Sequence, residues 1–453
     1  MLTVGEINEA AKGELIQGEA QTKVRGVSID SRSIKKHQCF IAIGGPRFNG
    51  HNFIRAAIRQ GAIAVVVSKK VSCPGNIAVI CVKDTTKALG LIASWYRGQF
   101  SIPVIAVTGS AGKTTTKELI ATVLSARFSV LKNHKTENNH YGVPLTLLKL
   151  KSSHQIAVLE LGTNQPGDIR RLAQMVRPTT AVFTNIGQSH LAGLKNQSGV
   201  FKEKMRLIKY IDPQGTVIVN GDDDRLKAIR KKDHKQKIIY FGCGANADQR
   251  ADHVIIENNH QLKFKVQGHE MTVNSPAVHN MHNALAAISC GLLYKISYND
   301  MSVALTRFRF REARQEIIKN GRFWFIDDTY NANPLSLQSA VNTLNNLHIK
   351  GKRVIVCADM LELGSRSKAL HQSAGTMIAD SAANAVFTVG RYARYISENL
   401  NRSNDITAVH CADLNEVHRR LKGFCAPGDA ILVKGSRGMN MERTVTFLKA
   451  HFK

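Results

Sequence analysis

The sequence predicts an α/β protein of three units with largely parallel sheets, the last of them a small doubly wound sheet. Short apolar runs alternate with helix-period segments along most of the chain, the pattern produced by strand–helix–strand units. At 453 residues the chain is longer than one hydrophobic core usually organises, so two or three domains are expected. A third observation is local: the apolar strand at 104–107 runs into a glycine-rich turn and then a helical segment.

The first unit extends to about residue 100 and ends at Gly98-Gln-Phe-Ser-Ile-Pro103, which reads as a linker. Strands of the second are expected at 104–107, 156–161, 181–184, 216–219 and 237–241, followed by a β-rich stretch at 253–273 and a helix at 280–294. A basic connector, 307–314, leads to the third. Its strands are expected at 323–326, 353–357, 385–389 and 430–433, with helices including 336–347 and 414–421.

Composition removes several function classes. Apolar residues make up 43% of the chain, enough for sizeable cores, yet the longest apolar runs, such as 62–67, are far short of the ~20 residues that cross a bilayer. No membrane span is expected. Residues 1–13 carry acids and no apolar stretch of the secretory kind, so a cytoplasmic location is expected. The eight cysteines are scattered without a C-x-x-C pair, which suits reduced core thiols. The 62 Lys and Arg against 34 Asp and Glu give a net charge of +28, which draws anions. These bases are spread along the chain, with only short clusters such as 230–232. That pattern fits handling of polyphosphate ligands better than specific reading of nucleic acid.

The sharpest signal is Thr108-Gly-Ser-Ala-Gly-Lys-Thr-Thr115. Gly109 and Gly112, with Ser110 and Ala111 between them, let backbone amides approach phosphate, and the following helix presents its free N–H groups to the same anion. Lys113 supplies charge to the β- and γ-phosphates, Thr114 a hydroxyl for Mg²⁺, and Thr115 continues the loop. No N-K-x-D guanine motif occurs, so ATP is the expected nucleotide. Glu160 sits beside a strand end and offers hard oxygen to a metal; His190 follows another strand and offers a second ligand. Asn280 and Asn283, three apart at the start of a helix, share a face that can present amides to adenine, with helix capping by Asn280 as the alternative.

Together with Asn138-Asn-His-Tyr-Gly142, Glu160-Leu-Gly-Thr-Asn164, Thr184-Asn-Ile-Gly-Gln-Ser-His190, His279-Asn-Met-His-Asn-Ala284, Asp327-Asp-Thr-Tyr-Asn-Ala-Asn-Pro334, Asp359-Met-Leu-Glu-Leu-Gly364 and Lys434-Gly-Ser-Arg437, the shortened loop resembles the Mur ligase family. Within it, the Asp327–Pro334 and Asp359–Gly364 motifs look like the branch that adds D-alanyl-D-alanine to UDP-N-acetylmuramoyl-tripeptide.

The resemblance implies three domains: a UDP-muramoyl-peptide-binding α/β domain at 1–100, a central P-loop ATPase domain at 101–312 and a Rossmann-like ligase domain at 313–453. It implies ATP and Mg²⁺, two ions by family pattern, held by Thr114, Glu160, His190 and a carbamylated Lys204; Lys202 is the alternative register. Arg314 would brace the γ-phosphate and Asp328 would take the ribose hydroxyls. Ser31 and Arg32, in the domain that holds the UDP-sugar, and Asn139, Asn331 and Asn333 would contact the substrates. Two departures from the pattern stand out. Glu203 and Met205 replace the small alanine and glycine on either side of the lysine, with Arg206 in place of the following glutamate, and Ala313 stands where a glycine commonly precedes the arginine. A monomer without a specific nucleic-acid partner is expected.

Overall fold

The computed structural model describes residues 2–45, 48–229, 231–310, 313–401 and 406–452. Pro46 and Arg47 of the first unit, Arg230 of the basic cluster, and Arg311 and Glu312 of the connector lie outside the described residues.

Five short segments rich in Val, Ile and Ala build the first sheet. They are β1 (Glu14–Gln17), β2 (Val27–Ser28), β3 (Gln38–Ile41), β4 (Ala62–Val67) and β5 (Ala78–Cys81), in the order β1-β5-β4-β3-β2. Only β1 is antiparallel. Helix α1 (Val4–Ala11), opened by a Thr3–Glu6 capping box, and α2 (Thr85–Arg97) cover one face through Ile7, Leu89 and Ile92 against Ile41, Val66 and Ile80.

The segment after α2, expected to be a linker, is a packed joint. Buried Arg97 donates from Nε to the Val176 carbonyl at 3.1 Å and from Nη2 to the Ile102 carbonyl at 2.9 Å. This tie spans 79 residues of sequence, beyond the reach of local pattern.

The middle sheet contains β6 (Val104–Thr108), β7 (Val130–Lys132), β8 (Ile156–Glu160), β9 (Thr180–Phe183), β10 (Thr216–Asn220), β11 (Lys237–Gly242), β12 (Gln249–Glu257), β13 (Gln261–Val266) and β14 (His269–Val273), ordered β7-β8-β6-β9-β10-β11-β12-β13-β14. Pairing is parallel as far as β12 and antiparallel through β14. Helices lie on both faces, so successive residues of β6 are buried on opposite sides. Ile105 and Val107 pack with α3 (Lys113–Leu124) and α6 (His279–Leu293). Val104 and Ala106 face α4 (Asp168–Val176), near which α5 (Gln197–Met205) also packs. From β6 the chain goes one way to β8 and the other way to β9, so the loop after β6 opens into a crevice at a topological switch point, where α/β sheets bind ligands.

A second switch point arises in the third sheet: β15 (Glu316–Asn320), β16 (Phe323–Asp328), β17 (Arg353–Ala358), β18 (Ala385–Val389), β19 (Thr407–Cys411) and β20 (Ala430–Lys434), ordered β15-β16-β20-β17-β18-β19. All but β15 are parallel. The helix expected at 336–347 is α7 (Pro334–Asn345), because Asn333 caps it and Pro334 takes the first helical position. Among the described residues no helix is long and apolar enough to cross a membrane.

Candidate active site

The loop between β6 and α3 owes its path to two glycines. Gly109 has φ +155°, and a Cβ there would sit 1.8 Å from Thr184 Oγ1. Gly112 is left-handed at φ +77°, with Asn283 Oδ1 2.7 Å from any added Cβ. Residues after β9 support the loop. Asn185 Oδ1 accepts from the Ala111 N–H at 2.8 Å, its carbonyl accepts from the Ser110 N–H at 3.0 Å, and Thr184 Oγ1 donates to the Ala111 carbonyl at 2.6 Å. The Ser110 and Ala111 amides, expected to face phosphate, are therefore committed to Asn185. No side chain caps α3, which leaves its first-turn N–H groups at Lys113, Thr114 and Thr115 to meet an anion.

These residues line a cavity of about 570 Å³ between the middle and third sheets. Burial holds the Lys113 ammonium below the usual lysine range, with Glu160 opposing that shift and Arg314 adding to it. Thr114 Oγ1 donates to Glu160 Oε2 at 2.6 Å, and Asn138 Nδ2 donates to Oε1 at 2.6 Å, so the buried carboxylate is aimed by two side chains. His190 lines the same cavity with φ +52°, and its Nδ1 is 2.6 Å from Glu362 Oε2, a contact that leaves Nε2 as the free ring nitrogen.

Lys204 is buried on α5 while Lys202 is exposed. Among the described residues its ammonium has neither a hydrogen bond nor an ion pair, and burial, followed by Lys113, depresses its pKa well below that of free lysine, with Glu203 and Glu160 opposing. The Met205 and Arg206 neighbours leave this burial intact. Arg206 Nε lies 3.3 Å from Glu203 Oε2, and Glu203 Oε1 accepts from the Gly167 and Ile169 N–H groups at the start of α4.

From the third unit, Arg314 reaches the cavity. Its guanidinium lies over the Tyr330 ring at 3.9 Å, and both Nε and Nη2 are buried without a hydrogen-bond partner. Ala313, before it, is left-handed at φ +52°. Tyr330 Oη donates to Thr136 Oγ1 at 2.7 Å and so joins the third unit to the middle one.

Several residues sit differently from expectation. Asn280 does not cap α6, which starts one residue earlier, and it does not line the cavity. Its Nδ2 donates to Ser275 Oγ at 2.8 Å and its Oδ1 accepts from Asn283 Nδ2 at 2.9 Å. The shared face is real, but packing buries Asn280 and leaves Asn283 at the wall, where its Oδ1 accepts from Thr116. Asp328 lines the cavity with Oδ2 already accepting from Lys434 Nζ at 2.6 Å; strand register sets the two side by side on β16 and β20. Asn331 and Asn333 line the cavity, the latter with its Oδ1 engaged in capping α7. Ser31, Arg32 and Asn139 are absent from this wall. Arg32 is exposed and paired with Asp30 at 2.8 Å, Ser31 is buried, and Asn139 Oδ1 accepts from the Tyr141 and Gly142 N–H groups. Sequence reasoning missed Lys434, Glu362 and Asp222 as neighbours of the site, although motifs containing the first two were already in view.

Family models match three stretches: the Mur ligase family catalytic domain at residues 23–124, the Mur ligase middle domain at 107–291 and the Mur ligase glutamate ligase domain at 313–437. The UDP-N-acetylmuramoyl-tripeptide–D-alanyl-D-alanine ligase of Bacillus subtilis (strain 168) is 35% identical over 98% of this chain and 97% of its own. The enzyme of the same name from Escherichia coli (strain K12) is 32% identical over 99% and 98%. A crystal structure of MurF from Acinetobacter baumannii covers 99% of both chains with TM-score 0.91 at 30% identity. MurF ligase from Thermotoga maritima in complex with ADP covers 94% of this chain and 97% of its own, with TM-score 0.83 at 27% identity. Similarity of this extent across all three sheets establishes that the chain belongs to the Mur ligase family.

Proposed function

We propose that this chain is an ATP-dependent ligase that joins D-alanyl-D-alanine to UDP-N-acetylmuramoyl-tripeptide, with ADP and phosphate as the other products. The observation that carries this reading is the buried, unpartnered pair of donors on Arg314 facing the same cavity as Lys113 and the uncapped α3 terminus. Buried cationic donors without partners are costly unless an anion satisfies them, and a transferring phosphoryl group is such an anion.

A peptide carboxylate is a poor electrophile. In the proposed reaction its oxygen attacks the γ-phosphorus, ADP leaves, and the dipeptide amine then displaces phosphate from the acyl phosphate to form the amide. No protein nucleophile is required; positioning and charge neutralisation do the work. Lys113 and Arg314 meet the charge that shifts during transfer. Asn283 and Asp328 bound the nucleoside end, with Lys434 holding Asp328 and Asn280 holding Asn283.

The donor set fits Mg²⁺. Glu160 and Thr114 offer hard oxygens from one hydrogen-bonded pair, His190 offers Nε2, and burial lowers the Lys204 pKa, the direction that favours the amine CO₂ carbamylates. Bound there, Mg²⁺ would neutralise β- and γ-phosphate charge. Ser31, Arg32, Asn139, Asn331 and Asn333 stand as proposed contacts for the muramoyl peptide and the dipeptide. We assign the working units as 1–100, 101–312 and 313–453, acting as a cytoplasmic monomer.

Phosphate release measured with each substrate omitted in turn tests the reading. Release that requires both the UDP-muramoyl-tripeptide and the dipeptide is the expected result, and product mass with the diaminopimelate and lysine tripeptides then identifies the accepted third residue. Release stimulated by DNA or RNA and indifferent to both substrates would overturn it.

A further inference from the structure

One cluster beside the cavity has no part in phosphoryl transfer. Asp222 follows β10, Cys243 follows β11, and His282 lies in the first turn of α6. One carboxylate oxygen, the thiol sulfur and one imidazole nitrogen all lie within 4.8 Å of each other. The carboxylate is held in place: Asp222 Oδ2 accepts from the Cys243 N–H at 2.7 Å, Oδ1 accepts from the Gly244 N–H at 2.9 Å, and His282 Nε2 is 2.8 Å from Oδ2. Gly242 makes the close approach possible, since a Cβ there would fall 2.6 Å from Asp222 Oδ1. Asp222 and His282 form part of the cavity wall, next to Asn283. The flanking Arg250 is already paired with Asp252 at 3.0 Å.

We propose that Asp222, Cys243 and His282 form a binding site for a thiophilic divalent cation of the zinc class, with its fourth position open toward the nucleotide cavity. One sulfur and one carboxylate oxygen from two loops with one imidazole nitrogen from a helix is a donor set that favours Zn²⁺ over Mg²⁺. Metal–ligand bonds of about 2.0–2.3 Å set tetrahedral donor separations of roughly 3.3–3.5 Å, so small side-chain rotations bring the three atoms onto one ion. Partial desolvation, followed by the Asp222 charge, raises the Cys243 thiol above its ordinary range although the residue is exposed. Binding forms the sulfur–metal bond and releases the thiol proton to solvent. The bound ion would cross-link the ends of β10 and β11 to α6, the helix that carries Asn283. Nothing in this assignment depends on which reaction the cavity catalyses.

The test uses the reduced full-length chain in excess Mg²⁺, which occupies hard-oxygen sites, titrated first with Co²⁺ and then with Zn²⁺. A thiolate-to-cobalt charge-transfer band that saturates at one equivalent and is bleached by Zn²⁺ is expected. Cys243→Ser should abolish the band, and His282→Ala should weaken Co²⁺ binding by about tenfold or more. Circular dichroism on both variants checks that the fold survives, and His282→Ala carries the test should Cys243→Ser misfold. Absence of the band in the wild-type chain, or an unchanged band and affinity in the folded variants, would overturn the proposal.

Discussion

Replacing Arg314 by Met separates catalysis from stability. The substitution keeps most of the side-chain volume and removes the two buried donors, Nε and Nη2, that have no partner in the protein. Each charge-assisted hydrogen bond to phosphate is worth about 1.5–3 kcal/mol, so two together contribute roughly 3–6 kcal/mol. If they form as charge shifts during transfer, the loss falls on kcat, by a factor of about 10² to 10⁴. Stability should move the other way. The variant forfeits the stacking of Arg314 on Tyr330 at 3.9 Å, worth about 0.5–2 kcal/mol, but no longer buries unpartnered donors at about 1–3 kcal/mol each. Steady-state ligation and a thermal melt on the same preparation give both quantities. The expected result is a collapse of kcat with a Tm equal to or above that of the wild-type chain. Activity within tenfold of wild type, or a loss that merely tracks a lowered Tm, would refute the assignment of Arg314 to the transferring phosphoryl group.

Lys204→Ala should remove most activity while Lys202→Ala leaves it near wild type, and a small carboxylate such as acetate should restore part of the Lys204→Ala loss; equal effects at the two positions in a ligation assay would contradict the carbamate reading. Gly109→Ala should abolish ATP binding in calorimetry, because its Cβ would lie 1.8 Å from Oγ1 of Thr184, in the segment after β9 that supports the loop. Ala313→Gly should be stabilising or neutral, by up to about 1 kcal/mol in denaturant titration, since Ala313 sits at φ +52° where a side chain is strained. Nucleic acid should bind weakly and without sequence preference, with affinity falling steeply as salt rises in a fluorescence titration.

Much of the framework was legible because it is written locally. The period of apolar residues marked β6, β8 and β16 to within one or two residues, and the glycine spacing marked the loop at 109–112. Helix α7 was misjudged by two residues because Asn333 and Pro334 read as motif residues rather than as its cap and first turn. The remaining site features come from chain crossings that no local window contains. Arg97 clamps the Val176 carbonyl, Glu362 orients His190 from 172 residues away, and Lys434 meets Asp328 only because β20 inserts beside β16. Asn280 shows the complementary failure: spacing put it on the same face as Asn283, but the depth of that face in the packed sheet decides which amide meets a ligand.

The central claim, ligation through an acyl phosphate, is tested most directly by oxygen transfer. With the reacting carboxylate of the UDP-muramoyl-tripeptide labelled with ¹⁸O, turnover with ATP and D-alanyl-D-alanine should place one labelled oxygen in the released phosphate and keep the other in the new amide carbonyl. Unlabelled phosphate accompanying amide formation would contradict it.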